Sequence, residues 1–306
     1  SNQMRKALVT GAAGFVGTYL TRFLRNQGWE VTGLDLKPAQ EVDRNLIGNL
    51  STIPASKVNR YSYDAVYHLA ALSHVPTANE NPSLAFDANV RGTFRLLRIL
   101  PRGQRIIFIS SGDIYGKGHI GPIRESAPLR PTNAYSATKA CADMALSSPI
   151  HDHNLTILRP FNHTGPGQPD LFAAPAFARQ IARAEAGIQP PIIHVGNVSP
   201  CRDFLDVRDV VRAYLLAFEK AGRGPYNIGS GKGVMIGDLL KMLLGLSRIK
   251  LSIESKSIRL RKGESEERIA HTVRFQKDTG WSPSIPLRKT LSDLLDTERA
   301  RVARKI

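Results

Sequence analysis

The sequence KALVTGAAGFVG at residues 6–17 decides the fold. It begins as a short apolar run typical of a buried strand, continues through three glycines, and leads into a helical pattern over residues 18–27. Gly11 permits a tight turn, Gly14 lets the backbone approach a pyrophosphate, and Gly17 allows the helix to pack closely on the strand. A strand, a glycine turn and a helix in this order predict a dinucleotide-binding unit, with a ligand-free glycine turn as the alternative.

An acidic residue ends the second predicted strand, which covers residues 30–35. Asp35 lies 18 residues past Gly17, where a carboxylate accepts hydrogen bonds from the adenosine ribose and repels a 2′-phosphate. Lys37 would offset part of that repulsion. We therefore expect NAD(H) to be the favoured cofactor and NADP(H) to be the second option. A solvated acid at a strand end is the other interpretation of Asp35.

Further strands alternate with helices along the first half of the chain. Apolar runs at residues 64–71, 105–111 and 155–159 predict parallel strands, and a helix is expected over residues 86–100. This alternation predicts an α/β fold with a doubly wound parallel sheet, in which ligands bind at the carboxyl ends of the strands. We expect His68 to be a core histidine. Besides the three glycines and Asp35, the cofactor residues expected at that edge are Phe15, Val16, Leu69, Ala70, Ala71 and Asn89.

A Tyr and a Lys four residues apart, Tyr135 and Lys139, lie in the predicted helix over residues 133–146. This spacing puts both side chains on one face, one turn apart. A neighbouring ammonium favours phenolate, so we expect the pKa of Tyr135 to be lowered and its hydroxyl to exchange a proton with a sugar or alcohol oxygen. Alone, the spacing also fits an amphipathic helix with a surface lysine.

Composition limits the function classes. The formal net charge is +16, but the basic residues are dispersed, aromatic residues make up only 7%, and no nucleic-acid motif accompanies them. We expect no nucleic-acid partner and no membrane span, and we interpret most of the charge as a contribution to solubility together with attraction for a diphosphate substrate. Two cysteines without metal-ligand spacing, and no secretory pattern, lead us to expect no metal site and a cytoplasmic location.

The composition changes after the predicted strand at residues 155–159. We expect residues 4–162 to form the dinucleotide-binding domain, with short returning segments near 204–228. Residues 163–306 are expected to form mainly a smaller substrate-binding lobe. The second substrate would lie in the cleft between the two.

Taken together, these motifs resemble a known family. GAAGFVG, the acid at the end of the second strand, HLAA, SSGDIYG and YSATK are similar to the extended short-chain dehydrogenase/reductases, also described as the NAD-dependent epimerase/dehydratase family. The resemblance covers nearly the whole chain. RPFNHTGPGQ at 159–168, CRDFLDVRDV at 201–210 and RKGE at 261–264 look most like the members that reduce GDP-4-dehydro-6-deoxy-D-mannose to GDP-D-rhamnose.

The resemblance implies roles for individual residues. Ser111 and Tyr135 would hydrogen-bond the sugar 4-oxygen, Tyr135 would be the general acid, and Lys139 would hold the cofactor ribose and lower the pKa of the tyrosine. The substrate-binding residues implied are Ser73, Ser111, Asn162, Arg202, Arg261 and Glu264, with the two arginines on the diphosphate. A surface salt bridge is the alternative for each arginine.

The loop after Ser111 bears on the reaction type. Dehydratases of this family carry a Glu two residues before the Tyr of a Tyr-Gly pair, and this chain has the shorter Asp113 there as a candidate catalytic residue. The position before it, an Asp in thymidine-linked dehydratases, is Gly112. The dehydration apparatus therefore looks incomplete, which favours reduction of a nucleotide-linked 4-keto-6-deoxy-hexose by NAD(P)H.

Three alternatives stay open from the sequence. They are a 4-epimerase or a 4,6-dehydratase with tightly bound NAD, and a dinucleotide-sensing regulator that has kept the fold. The family often dimerises through the helix that carries the tyrosine, and we expect a homodimer. Small residues that would permit close helix packing are Ala137, Ala140, Ala142 and Ala145.

Overall fold

The structure of this 306-residue chain is a computed structural model, and it describes residues 3–71, 75–255 and 266–305. Its largest sheet has seven strands, all paired in parallel. With elements numbered in chain order, these strands are β1 Lys6–Thr10, β2 Glu30–Asp35, β3 Arg44–Ile47, β4 Ala65–His68, β5 Arg105–Ile109, β6 Asn154–Pro160 and β10 Tyr226–Ile228.

The helices connect these strands and build a separate cluster in the second half of the chain. They are α1 Phe15–Asn26, α2 Ala55–Val58, α3 Val75–Glu80, α4 Pro82–Phe86, α5 Gly92–Ile99, α6 Ala134–Leu146, α7 Ala173–Glu185, α8 Val207–Lys220, α9 Ile236–Gly245, α10 Val273–Thr279 and α11 Leu287–Ala303. A π-helical turn, Asp87–Arg91, joins α4 to α5, and a 3₁₀ turn, Gly112–Tyr115, follows β5.

The spatial order of the central sheet is β3-β2-β1-β4-β5-β6-β10. The order reverses its direction between β1 and β4, and parallel sheets of this kind bind ligands outside the carboxyl ends at such a point. The predicted doubly wound α/β fold is confirmed.

Two hydrophobic layers cover the two faces of the sheet. Because side chains alternate along a strand, Ala7 and Val9 of β1 join the layer under α1, α8 and α10, whereas Leu8 joins the layer under α2, α5 and α6. Phe275 and Trp281, from the last fifth of the chain, are fully buried in the first layer. The end of the chain therefore returns to the half that contains the seven-stranded sheet, beyond the segments expected near 204–228.

A third apolar cluster lies between α7, α9 and α11. Six short strands accompany it or lead to it, and they are β7 Asn162–Thr164, β8 Ile192–Val195, β9 Cys201–Asp206, β11 Gly233–Met235, β12 Ser252–Ser255 and β13 Glu267–Arg268. Strand β9 is central, because it pairs in parallel with β7 and β13 and antiparallel with β11. This small sheet brings β13 next to the loop that follows β5.

Within the described residues, no helix is long and apolar enough to cross a membrane. The same residues contain no group of three or more His, Cys, Asp or Glu side chains placed to hold a metal ion.

Candidate functional site

The glycine turn after β1 is packed so tightly that side chains are excluded. A Cβ on Gly17 would lie 2.1 Å from the carbonyl oxygen of Gly11, and Gly11 itself has a φ of +72°. Gly14 is the N-cap of α1, where no side-chain hydrogen bond caps the helix and no acidic residue occupies the first turn. The first amides of α1, next to Phe15 and Val16, therefore favour an anion such as a pyrophosphate.

Asp35 is tied to this turn by backbone amides. Its carboxylate accepts hydrogen bonds from the amide of Ala13 at 3.0 Å and from the amide of Leu36 at 2.7 Å. Lys37 is exposed. The negative charge thus sits beside the glycine turn, where it meets the adenosine ribose of a dinucleotide in this fold.

The end of β4 closes the other side of the turn. Thr10 accepts hydrogen bonds from the amides of Leu69 and Ala70, both at 3.1 Å, and Ala70 lies against Gly11. His68 bridges the hydroxyls of Thr10 and Thr93 at 2.7 Å each.

Desolvation, and to a smaller extent the charge of Lys139, lower the pKa of His68 to about 3. The expectation of a core histidine is therefore confirmed. Ala70 and Ala71, the small residues that follow Leu69, are partly exposed.

Helix α6 carries Tyr135 in its first turn and Lys139 one turn later. The helix begins at a capping box formed by Asn133 and Ser136, which fixes where the first turn starts. The Nζ atom of Lys139 donates to the carbonyl oxygen of Ile109 at 2.6 Å. Lys139 is buried, and desolvation lowers its pKa to about 8, with Asp143 acting in the opposite direction.

The pKa of Tyr135 differs from the sequence prediction, because it is raised rather than lowered. Desolvation by the surrounding protein is the largest cause, the negative charge of Asp113 adds to it, and the Ser111 hydroxyl acts in the opposite direction. The Lys139 ammonium donates to a backbone carbonyl instead of the phenol. Tyr135 is therefore a neutral phenol at physiological pH and carries a proton that it can donate.

Asn89 sits on the π turn, fully buried against α6. Its side-chain amide donates to the Thr138 hydroxyl at 3.0 Å. A π turn places a side chain out of step with the regular helix and is frequent at functional sites. Here it links the helix after β4 to the helix that carries Tyr135.

Asp113 is held by an arginine that the sequence analysis did not identify. Arg268 on β13 donates to the Asp113 carboxylate at 2.6 Å and to the carbonyl oxygen of Gly116 at 3.3 Å. It also donates to Glu266 at 3.1 Å. The two ends of this ion pair are 155 positions apart, and no motif in the sequence marks Arg268.

The predicted substrate residues are only partly within the described chain. Ser73, Arg261 and Glu264 lie outside the described residues. Asn162 is partly exposed on β7. Arg202 donates to the Glu266 carboxylate at 3.0 Å and to the backbone carbonyls of Cys201 and Glu266. This pairing is the salt-bridge arrangement that the sequence left as the alternative for Arg202.

Comparison with known proteins gives consistent relatives. The sequence model of the "NAD dependent epimerase/dehydratase family" matches residues 7–229. GDP-6-deoxy-D-mannose reductase of Pseudomonas aeruginosa is 33% identical, with 97% of this chain and 98% of the relative covered. UDP-glucose 4-epimerase of Corynebacterium glutamicum is 27% identical, with 91% of each chain covered.

A solved structure shows the same fold. The structure of RMD from Pseudomonas aeruginosa complexed with NADPH superposes with a TM-score of 0.86 at 31% identity, covering 97% of this chain and 100% of that chain. The similarity therefore extends over both halves of the molecule rather than over the glycine turn alone.

Proposed function

The chain belongs to the NAD dependent epimerase/dehydratase family, and from that premise we propose that it reduces the C4 ketone of a nucleotide-linked 4-keto-6-deoxy-hexose with NAD(P)H. The substrate we propose is GDP-4-dehydro-6-deoxy-D-mannose and the product is GDP-D-rhamnose. Family membership makes the chain an NAD(P)-dependent nucleotide-sugar enzyme. The reductase assignment within the family is supported by the relative of that activity, which matches the chain end to end.

The choice of reduction is carried by the GDP-6-deoxy-D-mannose reductase relative, which is 33% identical over 97% of this chain, and the site contains the groups that a ketone reduction needs. Tyr135 retains its proton at neutral pH, beside Ser111 and one turn before Lys139. A ketone that accepts hydride at carbon needs a proton at oxygen, and a neutral phenol next to a second hydroxyl provides the donor. No further acid or base is required for this reaction.

The residues of the glycine turn fit a nicotinamide dinucleotide, since a Cβ on Gly17 would collide with the Gly11 carbonyl and the α1 amides are uncapped by side chains. When bound, the cofactor supplies the hydride. The residues proposed to hold it are Gly11, Gly14, Phe15, Val16, Gly17, Asp35, Leu69, Ala70, Ala71, Asn89, Tyr135 and Lys139.

In the proposed mechanism, the protein positions the ketone and moves one proton. Ser111 and Tyr135 donate hydrogen bonds to the C4 oxygen, and Tyr135 transfers its proton there as negative charge develops. The Lys139 ammonium stabilises the resulting phenolate and contacts the cofactor ribose. Its present partner, the Ile109 carbonyl, holds it on the same side of α6 as Tyr135.

We propose that the diphosphate is bound by arginines. Arg202 already has a partly buried guanidinium paired with Glu266, and a diphosphate would compete with that carboxylate for it. Asn162 is proposed to contact the sugar. Ser73, Arg261 and Glu264 are proposed to complete the substrate site from outside the described residues.

The epimerase or dehydratase alternative is supported by relatives such as the Corynebacterium 4-epimerase. A dehydratase needs a free base near C5 of the sugar, and the Asp113 carboxylate is engaged by Arg268. An epimerase needs the sugar to rotate between two hydride transfers with the cofactor retained. The reductase and epimerase relatives are enzymes, which argues against the regulator alternative.

Assembly and location are further proposals. We propose a homodimer through α4 and α6, which pack against each other and expose Leu84, Phe86 and Met144. Ala140 and Ala142 are buried inside the subunit, so the exposed stripe of α6 is formed instead by Ala137, Cys141 and Met144. We also propose a cytoplasmic location. We further propose that residues 4–162 bind the dinucleotide and that residues 163–306 mainly bind the sugar nucleotide.

Product analysis tests the proposed reaction. The purified protein is incubated with freshly made GDP-4-dehydro-6-deoxy-D-mannose and NADH or NADPH, and the product is examined by mass spectrometry and proton NMR. We expect a GDP-6-deoxy-hexose that is heavier than the substrate by two hydrogen atoms and carries a new C4 proton. Recovery of an unreduced isomer, or of unchanged substrate, would reject the reductase assignment.

A further inference from the structure

The Asp113 carboxylate lies close to the proposed reaction centre. The Ser111 hydroxyl is hydrogen-bonded to Tyr135, and desolvation, together with the negative charge of Asp113, raises the pKa of that tyrosine. Asp113 follows Ser111 by two residues, and its backbone amide donates to the Ser111 hydroxyl at 3.0 Å. Its side chain is 36% exposed. A carboxylate in this position is able to meet atoms next to a carbonyl group held by Ser111 and Tyr135.

Arg268 forms an ion pair with that carboxylate. Its side chain is 9% exposed and donates to Asp113 at 2.6 Å, in the range of a strong charge-assisted hydrogen bond. The position of Arg268 is fixed by the small sheet, where it is in register with Arg202 of β9. A second contact, to the carbonyl oxygen of Gly116, joins it to the same loop. Because Arg268 is buried and positioned by strand pairing, the pair differs from an ion pair between two exposed surface side chains.

The ion pair of Asp113 with Arg268 belongs to a larger charged cluster. Among the described residues, the connected ion pairs contain three cations, Lys117, Arg202 and Arg268, and two carboxylates, Asp113 and Glu266. Because Arg268 already donates a charge-assisted hydrogen bond to an Asp113 oxygen at 2.6 Å, the ion pair opposes the use of that oxygen as a proton acceptor.

This opposition matters for a 4-keto sugar. The C3 and C5 hydrogens flank the ketone, and hydrogen bonds from Ser111 and Tyr135 to the carbonyl oxygen make them more acidic. A free carboxylate nearby would remove one of them as a general base. The resulting enol could be reprotonated on either face, which would scramble the stereochemistry before reduction.

We propose that Arg268 is a specificity-determining residue that prevents Asp113 from acting as a base on the keto sugar. Without Arg268, Asp113 takes the C5 proton, the electrons of the C5–H bond form the C4–C5 double bond, and the C4 oxygen accepts the proton of Tyr135. When this enolisation reverses, Asp113 returns a proton to C5 and the C4 hydroxyl returns a proton to Tyr135. No electrons are gained or lost, and in D₂O the sugar acquires deuterium.

The inference rests on the proposed function. A deuterium-exchange experiment tests the inference, and a separate reduction assay tests the proposed function. The protein is mixed in D₂O with GDP-4-dehydro-6-deoxy-D-mannose and the oxidised cofactor, so that no hydride is available, and incorporation at C5 and C3 is followed by proton NMR. Reduction by the wild-type preparation is measured in parallel. Failure of that reduction counts against the proposed function, whereas the exchange experiment addresses Arg268.

We expect exchange by the wild-type protein to equal the enzyme-free rate. Arg268→Met should raise it at least ~10-fold, a conservative fraction of the 10²–10⁴-fold typical of general-base catalysis. Adding Asp113→Asn to Arg268→Met should return exchange to background. Arg268→Lys keeps a cation and should not exchange. Lys117→Met removes an exposed partner of the same Glu266 carboxylate, and it should resemble the wild type.

Folding is checked by thermal melting and by cofactor binding. If Arg268→Met does not fold, Arg268→Gln retains hydrogen-bond donors without the charge and should show the same increase. Background exchange in a folded, cofactor-binding Met or Gln variant would overturn the proposal. Exchange that persists in the variant also carrying Asp113→Asn would overturn it equally, because another base would then be responsible.

Discussion

At the scale of single residues, the proton of Tyr135 is the central feature. Desolvation and the charge of Asp113 raise the pKa of Tyr135, so the resting enzyme holds a phenol and not a phenolate. That state suits a reductase, which must donate a proton to the ketone oxygen.

Tyr135→Phe tests this role directly. The ring and its packing are retained while the transferable proton is lost, so we expect kcat to fall by about 10²–10⁴-fold. Cofactor affinity, measured by fluorescence titration, should change by less than about tenfold, because Lys139 and the glycine turn are intact. Turnover close to that of the wild type would reject Tyr135 as the proton donor.

The second residue-scale prediction concerns pH and Lys139. Desolvation lowers the pKa of Lys139 to about 8, so its ammonium is present below that pH and is lost above it. Tyr135, whose pKa is raised, stays protonated through this range. We expect kcat/KM for the cofactor to be constant below about pH 8 and to fall by about tenfold per pH unit above it.

Lys139→Arg separates the lysine from other titrating groups. A guanidinium remains charged well above pH 8, so the alkaline decrease should move to higher pH even though the overall rate is lower. An alkaline decrease at an unchanged pH would assign it to a different group.

At the scale of elements, the contact between β1 and α1 organises the cofactor site. We expect Gly17→Ala to abolish tight cofactor binding, because its Cβ would lie 2.1 Å from the Gly11 carbonyl oxygen and would push α1 away from the strand. Overpacking of this kind costs about 1–3 kcal/mol or more of unfolding free energy. Calorimetric titration with NADH and NADPH, together with thermal melting, measures both effects.

Gly245→Ala is the matched control. Gly245 ends α9, and a Cβ there would meet nothing within 4 Å. Alanine in a helix is more favourable than glycine by about 0.5–1 kcal/mol, so this variant should be slightly stabilised and should bind cofactor normally. Equal loss of cofactor binding in both variants would contradict the proposed role of the glycine turn in cofactor binding.

Several strands could be predicted from the sequence, and others could be predicted only in part. Strands β1 and β2 were expected over their observed ranges, because continuous apolar runs and glycine punctuation identify buried parallel strands. The strand expected over residues 64–71 is shorter, since β4 ends at His68 and the next residues turn toward Gly11. The π turn at residues 87–91 has no sequence signature comparable to a cap or a glycine turn.

The ion pair of Asp113 with Arg268 could not be predicted in the same way. Strand β13 has only two residues, and it pairs with a strand more than sixty positions earlier in the chain. Neither periodicity nor a motif identifies such an element, because its conformation is set by tertiary pairing. The pKa of Tyr135 was mispredicted for a related reason. The spacing shows that Lys139 lies one turn from Tyr135, but it does not show that the Lys139 ammonium donates to the Ile109 carbonyl oxygen.

At the scale of the whole molecule, the two halves are interwoven. The central sheet ends with β10, and the buried Phe275 and Trp281 come from beyond β13. The proposed substrate residues on β7 and β9 therefore belong to a part of the chain that also contributes a strand and core residues to the seven-stranded sheet. This arrangement keeps Arg268 and Asp113, which are far apart in sequence, in one site.

The proposed dimer is tested at this scale with Met144→Arg. Met144 is 63% exposed on α6, so a charge there should disrupt an interface between copies without disturbing the subunit core. Light scattering after size-exclusion chromatography should show a dimer for the wild type and a monomer for this variant. Ile188→Arg, at a 42% exposed position after α7, is the control and should remain dimeric. A monomeric wild-type protein would reject the proposed interface.

Nicotinamide absorbance reports directly on the proposed reduction. Purified protein is mixed with GDP-4-dehydro-6-deoxy-D-mannose and a limiting amount of NADH or NADPH in separate experiments. We expect rapid oxidation of the reduced cofactor in one-to-one proportion with the sugar nucleotide consumed, and Tyr135→Phe should suppress it. If neither cofactor is oxidised while the protein interconverts saturated sugar nucleotides without net redox change, the reductase account is wrong and the chain is an epimerase or a dehydratase.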